Sequence, residues 1–204
     1  MSLALASLLL STVAVAAGGP ASASVSVGPG TGLQAQAADG SASFALRARL
    51  QLRETITAAD ETTGELNVRA LRLTTSGHLL SPRLRHQVQL AFGAGDLDSS
   101  PVPVLDAWVE YAAHRDLHLR VGQYLIPFDR ARTNAEFTSQ LVDRAPALSE
   151  LNLDRDVGLT LLSPDLFGLG GRLAYSVGAF AGGGRNRTGA APLGGLFTGR
   201  LVLR

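Results

Sequence analysis

From residue 41 onward the chain alternates apolar and polar residues with a period of two, the period of a β-strand and not of a helix. The stretch FALRARLQLRE, residues 44–54, shows the pattern in its purest form. Phe44, Leu46, Ala48, Leu50 and Leu52 fall on one face, and Arg47, Arg49, Gln51 and Arg53 on the other. The same reading predicts strands at about 42–54, 65–77, 84–92, 104–112, 117–124, 155–162, 171–181 and 196–204. In the second of these the alternation slips near Leu71-Arg72-Leu73, the mark of a bulge or a phase change. In the fourth, Leu105, Ala107, Val109 and Tyr111 oppose Asp106, Trp108 and Glu110.

Predicted connections alternate long and short: TITAADETTG and GAGDLDSSPVP are long, while Ala113–Asp116 and Ser163-Pro164-Asp165 are tight. Up-and-down membrane barrels sort their loops in this way, with tight turns at one end and longer loops at the other. The fold expected is therefore all-β, an up-and-down antiparallel transmembrane barrel with about eight strands present over residues 41–204.

Composition agrees with that architecture. The chain of 204 residues is 46% hydrophobic but only 17% charged, and its apolar residues lie on alternate strand positions, as a barrel wall requires. The one continuous apolar run is at the N-terminus, LALASLLLSTVAVAA, with small-residue cleavage sites after it. It predicts an export signal over residues 1–23, although no basic residue precedes it. Residues 24–40, SVSVGPGTGLQAQAADG, read as a flexible lead-in.

The chain has no cysteine, which excludes disulfides and thiol chemistry. All basic residues are arginine, and on the predicted strands they outnumber acids: Arg47, Arg49, Arg53, Arg69, Arg85 and Arg120 are among them, while many acids lie in connections. If the polar face lines a pore, that pore attracts anions. Arginine suits this task because its planar fork pairs with oxyanions and holds its charge at every working pH. No arrangement of serine, histidine and carboxylate resembles a nucleophilic site, and no catalytic, cofactor or nucleic-acid role is expected. His114 and His118 have a ligand-like spacing, but they straddle a strand turn and predict no metal site. Gly182-Gly183-Gly184-Arg185 lacks the strand–loop–helix setting of a phosphate-binding loop.

An ordered set of short segments carries a resemblance to a known family: Trp108-Val109-Glu110-Tyr111, Val121-Gly122-Gln123-Tyr124, Pro127-Phe128, Leu153-Asp154-Arg155-Asp156-Val157-Gly158 and Tyr175-Ser176-Val177-Gly178-Ala179-Phe180. In order and spacing these resemble the phosphate-selective porin O and P family of Gram-negative outer membranes. The resemblance implies a 16-stranded barrel, of which this sequence would be the N-terminal half, working as an outer-membrane diffusion channel and, at full length, as a homotrimer. It implies phosphate or other small anions as solutes, outer-membrane lipid as surroundings, and a third external loop folded inward. By position that loop carries Arg130, Arg132 and Arg144, which resemble the constriction; Arg47, Arg49 and Arg53 resemble the wall. The family's lysine ladder has no counterpart, because the chain has no lysine. Two further readings stand beside the channel: a small non-conducting structural or adhesive barrel, and a secreted soluble β-protein that binds polyanions.

Overall fold

A computed structural model describes residues 23–58, 62–97, 102–129, 153–187 and 194–204. The protein is all-β, an antiparallel up-and-down sheet whose ten strands follow one another in sequence order without closing into a barrel. The strands are β1 (Ser24–Gly28), β2 (Gly32–Gln36), β3 (Ser43–Ala58), β4 (Thr62–His78), β5 (Leu84–Ala91), β6 (Val104–His114), β7 (Leu117–Leu125), β8 (Arg155–Ser163), β9 (Leu173–Phe180) and β10 (Leu196–Leu203). A single helical turn, α1 (Ala94–Leu97), follows β5. The chain divides into two compact units, Met1–Val104 and Leu105–Arg204.

Each of the eight strands predicted from periodicity is present. The first unit adds two more. Residues 24–40, expected as a flexible lead-in, instead contain the hairpin β1–β2, and β2 pairs with β3 from Leu33↔Leu46 to Gln36↔Ser43. Val25 and Val27 alternate with serines and pair with Ala35 and Leu33, so each strand carries a period-two pattern only two apolar residues long. The predicted export signal lies outside the described residues, apart from its last position.

Strands β3 and β4 are the longest, at 16 and 17 residues. They take up most of TITAADETTG, so the connection between them is confined to residues 59–61 and not the long loop expected. The pairing register shifts between Gln51 and Leu52, whose partners are Ala70 and Val68; Arg69 is the extra residue. This bulge explains the slipped alternation. Leu73 and Leu71 share a face, and skipping one residue returns Val68 and Leu66 to that same face.

In the second unit, the register places side chains in rows that cross all five strands. One face carries Val109, Val121, Leu159, Ala179 and Phe197 in line. The opposite face carries Glu110, Arg120, Thr160, Gly178 and Thr198 in line. On that second face Tyr124, Ile126 and Phe180 form a small buried cluster, with Trp108, Leu153 and Leu196 packed around it. The Phe180 ring lies flat against Gly158 and Gly178, where an added Cβ would collide with the ring. Glycine is needed at both positions to admit the aromatic side chain.

The short connections of this unit are tied together. Asp116, in the β6–β7 turn, accepts from the Phe167 N–H at 3.0 Å, and its carbonyl accepts from the Tyr175 hydroxyl at 2.9 Å. The Ser163 hydroxyl donates to the Arg115 carbonyl, and Arg115 grips both carboxylate oxygens of Asp116 at 2.9 Å. The Arg115 guanidinium and the Phe167 N–H hold the Asp116 carboxyl below the usual aspartate range. A carboxyl whose folded-state pKa is depressed adds stability above its unfolded pKa, about 3.9, and that stability disappears as pH falls through the folded value. Denaturant midpoints measured from pH 6 down to pH 2 are therefore expected to fall below about pH 4. In Asp116→Asn the Asp116 share of that fall is absent; an unchanged pH profile in this variant would remove its role.

Candidate functional site

The polarity of the second unit is inverted relative to a water-soluble sheet. The apolar row is open to the surroundings, with Leu159 42% and Phe197 80% exposed. The polar face is the covered one: Glu110 is 3%, Asp156 2% and Thr160 0% exposed. Sheets in soluble proteins pack their apolar face inward and show water their polar one.

The charges on the covered face are paired with care. One oxygen of Glu110 accepts two bonds from Arg120, at 2.9 and 2.6 Å, and the other lies 3.0 Å from His118 Nδ1. A carboxylate can only accept, so Nδ1 carries the proton. The Arg120 guanidinium also sits over the rings of Trp108, at 4.2 Å, and Tyr124, at 5.5 Å. The Tyr124 hydroxyl donates to Thr160 at 2.7 Å. Arg155 donates to Asp106 at 2.9 Å and to Asp154 at 3.1 Å. Trp108 thus lies on the polar face, as alternation predicts, and serves Arg120 there. His118 is buried against Glu110 while His114 stands exposed at the turn.

Beyond Arg120 this face opens into a concavity of about 410 Å³, whose lining includes Tyr124, Thr160, Ser176, Arg200 and Arg204. Arg200 and Arg204 fall within the strand predicted at 196–204 but carry no predicted role. Their even spacing, with Val202 between them, already puts both on one face of that predicted strand, of which Arg204 lies just past the end of β10.

In the first unit Arg47, Arg49, Gln51 and Arg53 occupy one face of β3, as alternation predicts. Arg49 stands directly opposite Arg72 and donates to Gln51 at 3.0 Å. Like charges in a directly opposed pair repel; Asp96 on α1 offsets this by binding Arg72 through both oxygens, at 2.7 and 3.1 Å. Arg47 faces Thr74, which accepts from Gln89 at 3.0 Å. Arg53 stands opposite Asn67, and Arg85, opposite His78, donates to the Pro82 carbonyl. Arg69 is the bulge residue. Arg130, Arg132 and Arg144 lie outside the described residues.

The structure therefore distributes the predicted arginines over two faces, one in each unit, and gives Arg72, Arg120 and Arg155 carboxylate partners.

No protein-family model and no curated protein matches this chain.

Among the described residues no helix is long and apolar enough to cross a membrane, a statement that does not bear on strands. Among the same residues no cluster of histidines and carboxylates of metal-binding size occurs.

Proposed function

We propose that this chain forms the wall of an outer-membrane diffusion channel that favours small anions. The observation that carries the reading is the inverted sheet: aligned rows of large apolar side chains lie open while carboxylates, histidine and threonine are covered. An exposed apolar surface of this extent needs a lipid or protein neighbour, and a strand that is apolar on one face and charged on the other is what a barrel wall requires. Closure into a barrel belongs to this proposal, since lipid does not tolerate an unpaired strand edge. No covalent chemistry is involved; solutes move down their gradient.

The preference for anions rests on charge placement. Paired arginines such as Arg120 build the wall, whereas Arg47 is exposed on the polar face of β3, and Arg200 and Arg204 line the concavity. Spaced guanidinium groups attract an oxyanion such as phosphate at several weak sites, which lets it enter and leave. The resemblance in the segments around Trp108, Gly122 and Asp156 points to the same solute class.

A planar bilayer tests this. Under a salt gradient the reversal potential is expected to carry the sign of anion preference, and Arg47→Ala combined with Arg49→Ala is expected to move it toward zero. An unchanged reversal potential would remove both residues from the pathway. A folded, inserted protein that does not conduct would overturn the channel and leave a closed structural barrel.

A further inference from the structure

The concavity on the covered face of the second unit has a composition that wall-building alone leaves unexplained. Three arginines line it, Arg120, Arg200 and Arg204, and among the described residues no carboxylate does. Arg120 is bound by Glu110, which stands outside the lining. The other two follow one another along the last strand, and the ladder register fixes what lies opposite them. Arg200 pairs with Ser176, and Val202 pairs with Ala174. The Arg204 N–H donates to the Arg172 carbonyl at 2.9 Å, which carries the ladder one position further and sets Arg172 opposite Arg204. Alternation keeps Arg200, Val202 and Arg204 on the same side as Ser176, Ala174 and Arg172. Like charges directly opposed repel. Among the described residues neither Arg172 nor Arg204 has a carboxylate partner, in contrast to Arg72, Arg120 and Arg155.

An anion held between Arg172 and Arg204 removes that repulsion and takes paired hydrogen bonds from their planar forks. The space beside it exceeds what a small anion needs: about 410 Å³, within the range of small-molecule sites. The floor changes character with distance from Arg204. Ala174 and Val202 make an apolar step. The next row carries Arg200 and Ser176, whose hydroxyl has no partner among the described residues. An anionic end, a short apolar step and then polar groups match a sugar phosphate, whose ring has apolar C–H faces and hydroxyls at its rim. We propose that this concavity binds a sugar phosphate, with Arg172 and Arg204 on the phosphoryl group, Ala174 and Val202 under the ring, and Ser176 and Arg200 at the ring hydroxyls. All six residues belong to one face of one unit, so the site asks for no closed sheet. It goes beyond the channel reading and does not rest on it.

Isothermal titration calorimetry on the full chain in detergent micelles tests this with three probes: glucose 6-phosphate, inorganic phosphate and glucose. Glucose 6-phosphate is expected to saturate a single site. Inorganic phosphate is expected to bind about tenfold more weakly, because it reaches neither the apolar step nor Ser176, and glucose alone is expected to give no saturation. Arg204→Gln is expected to weaken glucose 6-phosphate by about tenfold or more through loss of a charge-assisted bond. Arg204 is exposed at a strand end, so this variant keeps the fold. Ala174→Leu fills the step and is expected to bring glucose 6-phosphate down to the affinity of inorganic phosphate. Equal affinity of the unmodified protein for the two phosphate probes would overturn the sugar part of the proposal. Unchanged affinity in Arg204→Gln would overturn the phosphoryl contact, and absence of saturable binding would overturn the site. None of these outcomes depends on conductance, so a silent bilayer and a failed titration are separate results.

Discussion

Leu159→Arg is expected, on the channel reading, to destabilise the protein in lipid by up to about 2–4 kcal/mol, the cost of a cationic side chain on a lipid face at the bilayer midplane. Leu159 sits in the middle of the row that runs from Val109 through Val121 to Ala179 and Phe197. It is 42% exposed. The position discriminates because the two environments give different answers. In water, arginine on an open sheet surface changes stability by no more than about 0.5 kcal/mol in either direction. Urea titration of the protein folded into phosphatidylcholine vesicles, followed by tryptophan emission from Trp108, reads the difference. A change within the aqueous range would remove lipid from the apolar face. Leu159→Ala is the companion that separates charge from lost packing, and a smaller loss is expected from it.

The second large effect lies on the opposite face. Glu110→Leu is expected to cost about 3–5 kcal/mol, the typical result of removing one partner from a buried ion pair. Glu110 lies 3.0 Å from His118 Nδ1 and receives the strong two-pronged contact of Arg120 at 2.9 and 2.6 Å. Removing it takes the carboxylate from the Arg120 guanidinium, which is left over Trp108 and Tyr124, and from the buried His118. Glu110→Gln keeps a shape and an acceptor oxygen and is expected to cost less. Adding Arg120→Leu to Glu110→Leu is expected to recover part of the loss, since the stranded charge then goes too. If Glu110→Leu costs under about 1 kcal/mol, the pair behaves as a solvated surface bridge, and the covered face is wetter than its geometry implies.

The strand pattern was legible because alternation is local. Phe44 to Arg53 declares its two faces without reference to any other part of the chain. From Ser24 to Gln36 the alternation is present but short, Val25 and Val27 in one strand and Leu33 and Ala35 in the next, and Pro29 and Gly30 between them make a hairpin read as a linker. The bulge at Arg69 announced itself only as a slipped phase, because register belongs to two strands and not to one. Loop sorting was misread at its first member for a related reason: Thr55, Thr57, Thr62 and Thr63 look like loop residues but pair across β3 and β4.

The site was legible in part. Arginines on strand faces follow from alternation, but their neutralisation does not. Arg155 and Asp106 are far apart in sequence, and so are Gln123 and Asn186. Only the ladder registers bring them together. Asp154 and Asp156 look like a matched pair flanking Arg155, yet the structure gives them separate work: Asp154 accepts from Arg155, while Asp156 accepts from the backbone at Val157 and Gly182.

On the channel reading, the length of β3 has a consequence for what would stand outside the bilayer. Its apolar face runs unbroken from Phe44 to Leu52, and Glu54 then interrupts it. That uninterrupted run matches the roughly 9–11 residues with which a tilted strand crosses the hydrocarbon layer. The strand continues to Ala58, and its partner begins at Thr62. On that reading, at about 3.3 Å per residue, the remainder of the two strands would extend some 10–20 Å beyond the hydrocarbon layer. On the same reading, these strand ends would be open to an antibody or protease approaching from solution.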